Sequence, residues 1–285
     1  MPIRTIIAPS EMRQLSREWH QPGLKIAFVP TMGALHEGHL ALVHEAKKRA
    51  DKVVVSIFVN PLQFGPKEDF STYPRMLQAD SDRLSPLGVD ALFLPNAADM
   101  YPPGFETYVV NDKLSDILCG RFRPGHFRGV LTVVSKLFNL VQPDIALFGK
   151  KDYQQCHLLK KMVQDLCFPI EVIGCATLRE TDGLAMSSRN LRLTPAERLI
   201  APELFRCMKD LQTAYKAGER NKQQLLEHFV KELGHSPAFR LEYAEIRGLA
   251  DLTDFPETID DSAVLIVAAH LGTVRLIDNL ELSAP

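Results

Sequence analysis

The sequence predicts an α/β protein: a Rossmann-like parallel sheet with helices on both faces, joined to a smaller C-terminal α+β lid domain. Three observations carry that expectation. Short apolar runs, mostly rich in β-branched or aromatic residues, alternate with longer amphipathic stretches through the first part of the chain. Runs that are apolar throughout suit strands buried on both faces, and strand–helix alternation gives a parallel sheet. Past about residue 178 the order changes to helices followed by strands, the pattern of a small α+β domain. A chain of 285 residues suits one large domain or two ordinary ones. The expected domains are therefore residues 1–178 and 179–285.

Five strands are expected in the first domain, at Leu24–Val29, Lys52–Val59, Asp90–Pro95, Asp144–Gly149 and Ile170–Ala176. Helices are expected at His36–Ala50, with Leu40, Val43 and Ala46 on one face, and at Gly129–Val141 and Tyr153–Leu166. In the second domain, "TPAERLIAPELFRCMKDLQTAY" opens as a helix, with Thr194 as N-cap, Pro195 at the first helical position and Glu197 closing a capping box. A further helix is expected from Lys222 to Leu233. Three strand-like runs follow, "FRLEYAEI", "AVLIVAAH" and "TVRLID".

Composition narrows the function. Apolar residues make up 46% and charged residues 24%, enough for a sizeable core and unlike a disordered chain. The net charge of −2 and pI near 6.5 argue against a dedicated nucleic-acid binder. No run reaches the roughly 18 apolar residues of a membrane span, and the N-terminus lacks the apolar core of a signal peptide. The five cysteines are scattered without a CxxC pair, which fits a cytoplasmic protein with reduced thiols.

The motifs fall after expected strands. "PTMGALHEGH" (30–39) follows the first, with Gly33 and Gly38 permitting close backbone approach and His36 and His39 one helical turn apart. Zinc binding, partly buried core histidines and a polyphosphate clamp at a helix N-terminus are the three readings of this pair. No third zinc ligand is apparent nearby, and no Gly-Lys-Ser/Thr follows to make a Walker A loop. A place at the carboxyl end of a strand favours the nucleotide.

Asn60 and Gln63 in "FVNPLQFG" follow the second strand, and their amides suit either loop capping or a ligand bearing hydroxyls and a carboxylate. Arg121, Arg123, His126 and Arg128 form either a solvated basic loop or an anion-facing one. In "FGKKDYQQ", Gly149 permits backbone approach, Lys151 suits phosphate, Asp152 suits ribose hydroxyls, and Gln155 lies one turn beyond. Taken alone, that run is an ordinary charged helix start. Ser187, Ser188 and Arg189 in "ETDGLAMSSRN" suit a pyrophosphate, or belong to a plain polar linker. All four groups map to one edge of one sheet.

These segments, with "YPR", "RPGHFRGVLTVVSKLFNLVQPDIALFG" and the terminal "RLIDN", resemble the pantoate–β-alanine ligase (pantothenate synthetase) family of the HxGH nucleotidylyltransferase superfamily over almost the whole chain. The resemblance implies ATP-dependent condensation of D-pantoate with β-alanine, through a pantoyl adenylate, releasing AMP and pyrophosphate, with Mg²⁺, in a homodimer. Carried over, Met32, Gly33, Ala34, Leu35, His36, Glu37, Gly38 and His39 hold ATP, with His39 donating a proton. Gly149, Lys150, Lys151, Asp152, Leu178, Met186, Ser187, Ser188 and Arg189 complete the ATP site. Gln63 binds pantoate and lies near β-alanine, Gln155 binds pantoate, and Asp80 lies near the metal. Lys150 departs from the family's frequent Glu, and a local electrostatic change without loss of activity is expected. His36, His39, Lys151, the two serines, Arg189 and Mg²⁺ are expected to meet the developing charge, with the C-terminal domain closing over the adenylate.

Three rivals share some of these features. An HxGH adenylyltransferase with a phosphate-bearing acceptor would call for cations where this chain has Gln63 and Gln155. A tRNA-charging enzyme fits poorly with the acidic pI and short C-terminal part. An idle nucleotide-binding scaffold fits poorly with candidate residues intact in all four loops.

Overall fold

Six short strands build one wholly parallel sheet: β1 (Arg4–Ile6), β2 (Ile26–Thr31), β3 (Lys52–Ile57), β4 (Ala91–Phe93), β5 (Ile145–Gly149) and β6 (Glu171–Cys175), in the order β1-β4-β3-β2-β5-β6. They belong to a computed structural model describing residues 3–66, 68 and 70–283. The helices of this part are α1 (Pro9–His20), α2 (Glu37–Lys47), α3 (Leu77–Leu84), the four-residue α4 (Ala97–Met100) and α5 (Cys119–Phe122), α6 (His126–Val141) and α7 (Tyr153–Asp165).

Side-chain alternation along the strands creates the two faces. Ile26, Phe28, Val54, Ala146 and Phe148 face one core, shared with Met12 and Leu15 of α1, Leu131 and Phe138 of α6, and Leu158 and Met162 of α7. Ala27, Val29, Val53, Val55, Ile145 and Leu147 face the other, with Leu42, Val43 and Ala46 of α2 and Leu84 of α3. The chain winds from β2 to β3 and β4 on one side, then returns to β5 and β6 on the other. The β2–β5 boundary is thus a topological switch point, where open α/β sheets bind ligands at the strands' carboxyl ends.

The contacts divide the chain into two compact units, one of residues up to 150 with 155–176, the other of 151–154 with 177 onward. The second unit holds α8 (Pro195–Ile200), α9 (Glu203–Lys216), α10 (Lys222–Gly234) and an antiparallel sheet, β7 (Phe239–Gly248), β8 (Ala263–Leu271) and β9 (Val274–Leu282). Met208, Leu211, Phe229, Leu265 and Val267 anchor its core.

Three expectations are corrected. β1 lies outside the expected strands, because three residues carry too little periodicity to register as one. The helix expected through "TPAERLIAPELFRCMKDLQTAY" divides at Pro202 into α8 and α9, since proline has no N–H to continue the ladder. The capping box of Thr194 and Glu197 is present at α8. The helix expected from His36 starts at Glu37, with His36 outside it as the N-cap.

Backbone packs on backbone where α6 meets the 3₁₀ turn Pro61–Gln63. A Cβ on Gly129 would lie 2.3 Å from the Leu62 carbonyl oxygen and 2.7 Å from the Gln63 nitrogen. Gly129→Ala is therefore expected to destabilise the fold by about 1–3 kcal/mol, as overpacking does. A thermal melt reads this as a lower midpoint; an unchanged midpoint would show that the turn yields freely.

Candidate active site

The HxGH segment fills the connection from β2 to α2, and its histidines cap the helix. The Gly38 N–H donates to His36 Nδ1 at 3.1 Å, and the His36 N–H donates to His39 Nδ1 at 3.3 Å. The result is a capping box built from imidazoles, with ring centroids 4.1 Å apart. A backbone N–H can only donate, so both Nδ1 atoms are lone-pair acceptors. Each neutral ring then carries its proton on Nε2. The box thus fixes the tautomer of both rings, without requiring either to be charged. Glu37, also expected at the ATP site, is exposed and pairs with Arg83 at 3.4 Å.

The preceding turn is engaged internally. Gly33 and Ala34 both take left-handed backbone, at φ +83° and +50°. The Ala34 and Leu35 N–H groups donate to the two carboxylate oxygens of Asp80, at 3.0 and 2.7 Å, and the Gly33 N–H donates to Thr31 Oγ1 at 3.2 Å. Asp80 is only 2% exposed. This changes two expectations. The amides of Gly33, Ala34 and Leu35 face protein oxygens, where the sequence offered them to phosphate. Asp80, expected near a metal, has both oxygens on backbone amides. Among the described residues no group of three or more His, Cys, Asp or Glu could hold a metal ion. The side chains present thus do not fit a protein cage for Mg²⁺.

Gln63 is held by its neighbours at the end of the 3₁₀ turn after β3. Its Nε2 donates to Met32 Sδ at 2.9 Å, and its Oε1 accepts from Asn60 Nδ2 at 3.1 Å. Asn60, whose amide suited either loop capping or a ligand, is buried with that amide fully engaged within the protein. Nδ2 also donates to the Gly129 carbonyl, while Oδ1 accepts from the Leu62 N–H and the Tyr101 hydroxyl. It positions Gln63 from beneath. Burial, with the nearby Tyr108, pushes the Tyr101 phenol far above its ordinary value, so the hydroxyl stays a donor.

The basic loop braces the same turn. Arg123 makes two hydrogen bonds to the Glu68 carboxylate, at 2.8 and 2.6 Å, and one to the Gln63 carbonyl at 3.4 Å. Burial pushes Glu68 up, but the hydrogen bonds and charge of Arg123 outweigh it and hold the carboxyl below its ordinary value. The Arg123 guanidinium only donates, so His126 Nε2, 3.0 Å away, accepts. Its Nδ1–H then donates to the Gln63 carbonyl at 2.8 Å. Arg128 stacks on Tyr108, with its guanidinium 4.6 Å from the ring centroid. At Arg123 and Arg128 the loop is neither simply solvated nor simply open to anions.

Gly149 ends β5, and the Lys150 N–H bonds the Cys175 carbonyl at 2.7 Å. The Lys150 stem passes over Gly174, where a Cβ would lie 3.2 Å from its Cγ. Gln155 is half-buried in the first turn of α7.

Within the second unit, Lys151 is clipped to β9 by Asn279, whose Nδ2 donates to the Lys151 carbonyl at 3.0 Å. Burial pushes the Lys151 ammonium below its ordinary value. The charges of Asp152 and Asp278 oppose that shift; those of Arg189 and Arg275 reinforce it. Lys151 and Ser187 line one small recess with Asn190, Arg275 and Asp278. Ser187 Oγ accepts from the Arg189 N–H at 3.2 Å and caps the 3₁₀ turn Ser188–Arg192. Leu178 is 40% exposed, and its carbonyl accepts from the Met186 N–H at 3.0 Å. Asp278 grips Arg179 through two bonds of 2.6 and 2.8 Å, while Arg198 reaches Glu180 and Asp182. The stretch from Arg179 to Arg192 is thus anchored, unlike a plain linker. Thr31, Tyr101, Glu68 and Asn279 were not singled out from the sequence. The signal for Asn279 was the terminal "RLIDN"; Tyr101 and Glu68 carried none.

Comparison with known proteins matches the model of the Pantoate-beta-alanine ligase family over residues 4–281. The pantothenate synthetase of Alcanivorax borkumensis is 49% identical over 99% of this chain and 98% of its own. The crystal structure of pantothenate synthetase from Thermus thermophilus superposes with a TM-score of 0.91 at 44% identity, covering 99% of this chain and 100% of that one. A pantoate-beta-alanine ligase from Francisella tularensis, described as complexed with Beta-gamma ATP and Beta-alanine, aligns at TM-score 0.83 and 35% identity over 99% of each chain. The chain belongs to the pantoate–β-alanine ligase family of enzymes.

Proposed function

We propose that this ligase condenses D-pantoate with β-alanine through a pantoyl adenylate, consuming ATP and releasing AMP and pyrophosphate. The observation that carries this reading is the histidine capping box. It stands at the carboxyl end of a central strand, with two imidazoles of fixed tautomer beside a helix N-terminus, a setting suited to phosphate. The family relationship supplies the substrates, and the F. tularensis relative, described as complexed with Beta-gamma ATP and Beta-alanine, supports two of them.

The chemistry follows from the leaving group. A carboxylate does not acylate an amine at neutral pH, because oxide would have to depart. In the first step the pantoate carboxylate forms a bond to the α-phosphorus of ATP, and the bond from that phosphorus to the bridging oxygen breaks, releasing pyrophosphate. The carboxylate is already ionised at a pKa of about 4, so no base is needed. Catalysis is placement and charge stabilisation, assigned here to His36, His39, Lys151, Ser187, Ser188 and Arg189. Mg²⁺, if bound, would neutralise charge on the ATP phosphates; among the described residues no group of three or more His, Cys, Asp or Glu could hold it.

In the second step the neutral β-alanine amine bonds to the acyl carbon, AMP departs with the bonding pair, and the nitrogen loses a proton. Only on the order of a thousandth of an amine with pKa near 10 is neutral at pH 7. Gln63 is assigned to pantoate. A polar amide fixed by Met32 and Asn60 suits hydroxyls and a carboxylate better than it suits a phosphate-bearing acceptor. The scattered cysteines fit reduced thiols in a cytoplasmic setting, and the family resemblance alone carries the homodimer and the small-molecule substrates.

Pantoate-dependent ATP–pyrophosphate exchange tests the first half-reaction, and AMP release on adding β-alanine tests the second. His39→Ala is expected to slow single-turnover adenylate formation by about a hundredfold or more with the fold intact. An unchanged rate would refute the role of the box. Gln63→Ala is expected to raise the KM for pantoate by about tenfold or more while leaving the KM for ATP near its wild-type value. Equal rises in both constants would point to a general disturbance of the site.

A further inference from the structure

Ala34 is the one residue of the turn that departs from ordinary side-chain backbone. Its φ of +50° is left-handed without the excuse of being glycine, and Gly33 before it lies at +83°. Successive amides in such a turn converge to form a concavity that holds an anion. Here the anion belongs to the protein: the Asp80 carboxylate takes the Ala34 and Leu35 N–H groups at 3.0 and 2.7 Å from a position 2% exposed. The first turn of α3 delivers it, its own N–H bonded to the Met76 carbonyl at 2.9 Å. Contact is close on the other side as well, since a Cβ on Gly33 would lie 3.1 Å from Asp80 Oδ2 and 3.0 Å from Ile57 Cγ2. Leu35 leads directly into His36. A rotation of the Ala34–Leu35 peptide therefore moves the N-cap imidazole and, through the His36 N–H, the bond that fixes His39.

We propose that Asp80 is a positioning residue of the reaction: its buried carboxylate occupies the amide concavity, holds the left-handed Gly33–Ala34 pair, and so aims the histidine box. This rests on the box acting in the reaction proposed above. It assigns to Asp80 neither a metal nor a contact with ATP, and it predicts a rate effect without loss of nucleotide binding.

The test pairs Asp80→Asn with Asp80→Asn/Ala34→Gly in the full-length chain. The amide keeps the size of the carboxylate, but only one of its two terminal atoms can accept an N–H. Asp80→Asn is expected to lower kcat for pantoate-dependent exchange by about thirtyfold or more, with the KM for ATP within about threefold of wild type. Adding Ala34→Gly is expected to restore about fivefold or more, because glycine takes left-handed backbone without a Cβ clash. Should Asp80→Asn fail to fold, recovery of a cooperative thermal melt in the double variant is the expected result. An unchanged kcat in Asp80→Asn overturns the inference. So does any loss, of rate or of fold, that Ala34→Gly leaves untouched; restoration by excess Mg²⁺ alone would mark a metal role in its place. A wild-type chain without exchange counts against the proposed reaction, and the melting temperatures of the two variants then still decide the clamp.

Discussion

Ala34 and Leu35 turn their amides inward onto a buried carboxylate, and the geometry of the HxGH segment depends on that contact. Left-handed backbone costs a non-glycine residue roughly 1–2 kcal/mol. The Asp80 bonds offset that cost at Ala34, and they satisfy two donors that burial would otherwise leave unpaired. From this turn the chain enters α2 at a fixed angle, with His36 in extended backbone at the N-cap and His39 in the first turn. The tautomers then follow without any further group, because the backbone amides of the cap choose them.

The second half of the site in this unit is organised the same way, from polar groups facing protein. Asn60 uses every hydrogen-bonding atom of its amide to join the 3₁₀ turn, the backbone of α6 and Tyr101, and Gln63 sits on top of that assembly. Arg123, Glu68 and His126 close on the Gln63 carbonyl from the loop before α6. Fully satisfied polar networks in a low-dielectric setting rigidify the groups they carry. Gln63 is thereby fixed in place before any substrate arrives, the arrangement that catalysis by placement requires.

In the second unit the terminal strand does comparable work. Asp278 and Asn279, both buried, anchor Arg179 and the Lys151 carbonyl. Lys151 is separated in sequence from β9 by more than a hundred residues, and its burial beside Arg189 and Arg275 weakens its hold on its proton. A bound phosphate would reverse that balance, since an anion beside an ammonium favours the charged form.

Much of the fold was legible along the chain. Runs such as "KVVVSIFV" are too apolar to face water, so their strands, their burial on both faces and the parallel sheet follow from local text. The HxGH pair, Gln63, Lys151 and Ser187 to Arg189 were visible as candidates for the same reason: each follows an expected strand or a change in composition. What local text does not contain is the partner of each polar group. Asp80 stands 46 residues from Ala34, and Tyr101 stands 41 from Asn60. Whether an amide faces a ligand or a buried carboxylate is settled when distant segments pack, because the free energy of a polar group depends on what shares its low-dielectric surroundings and not on its neighbours in sequence.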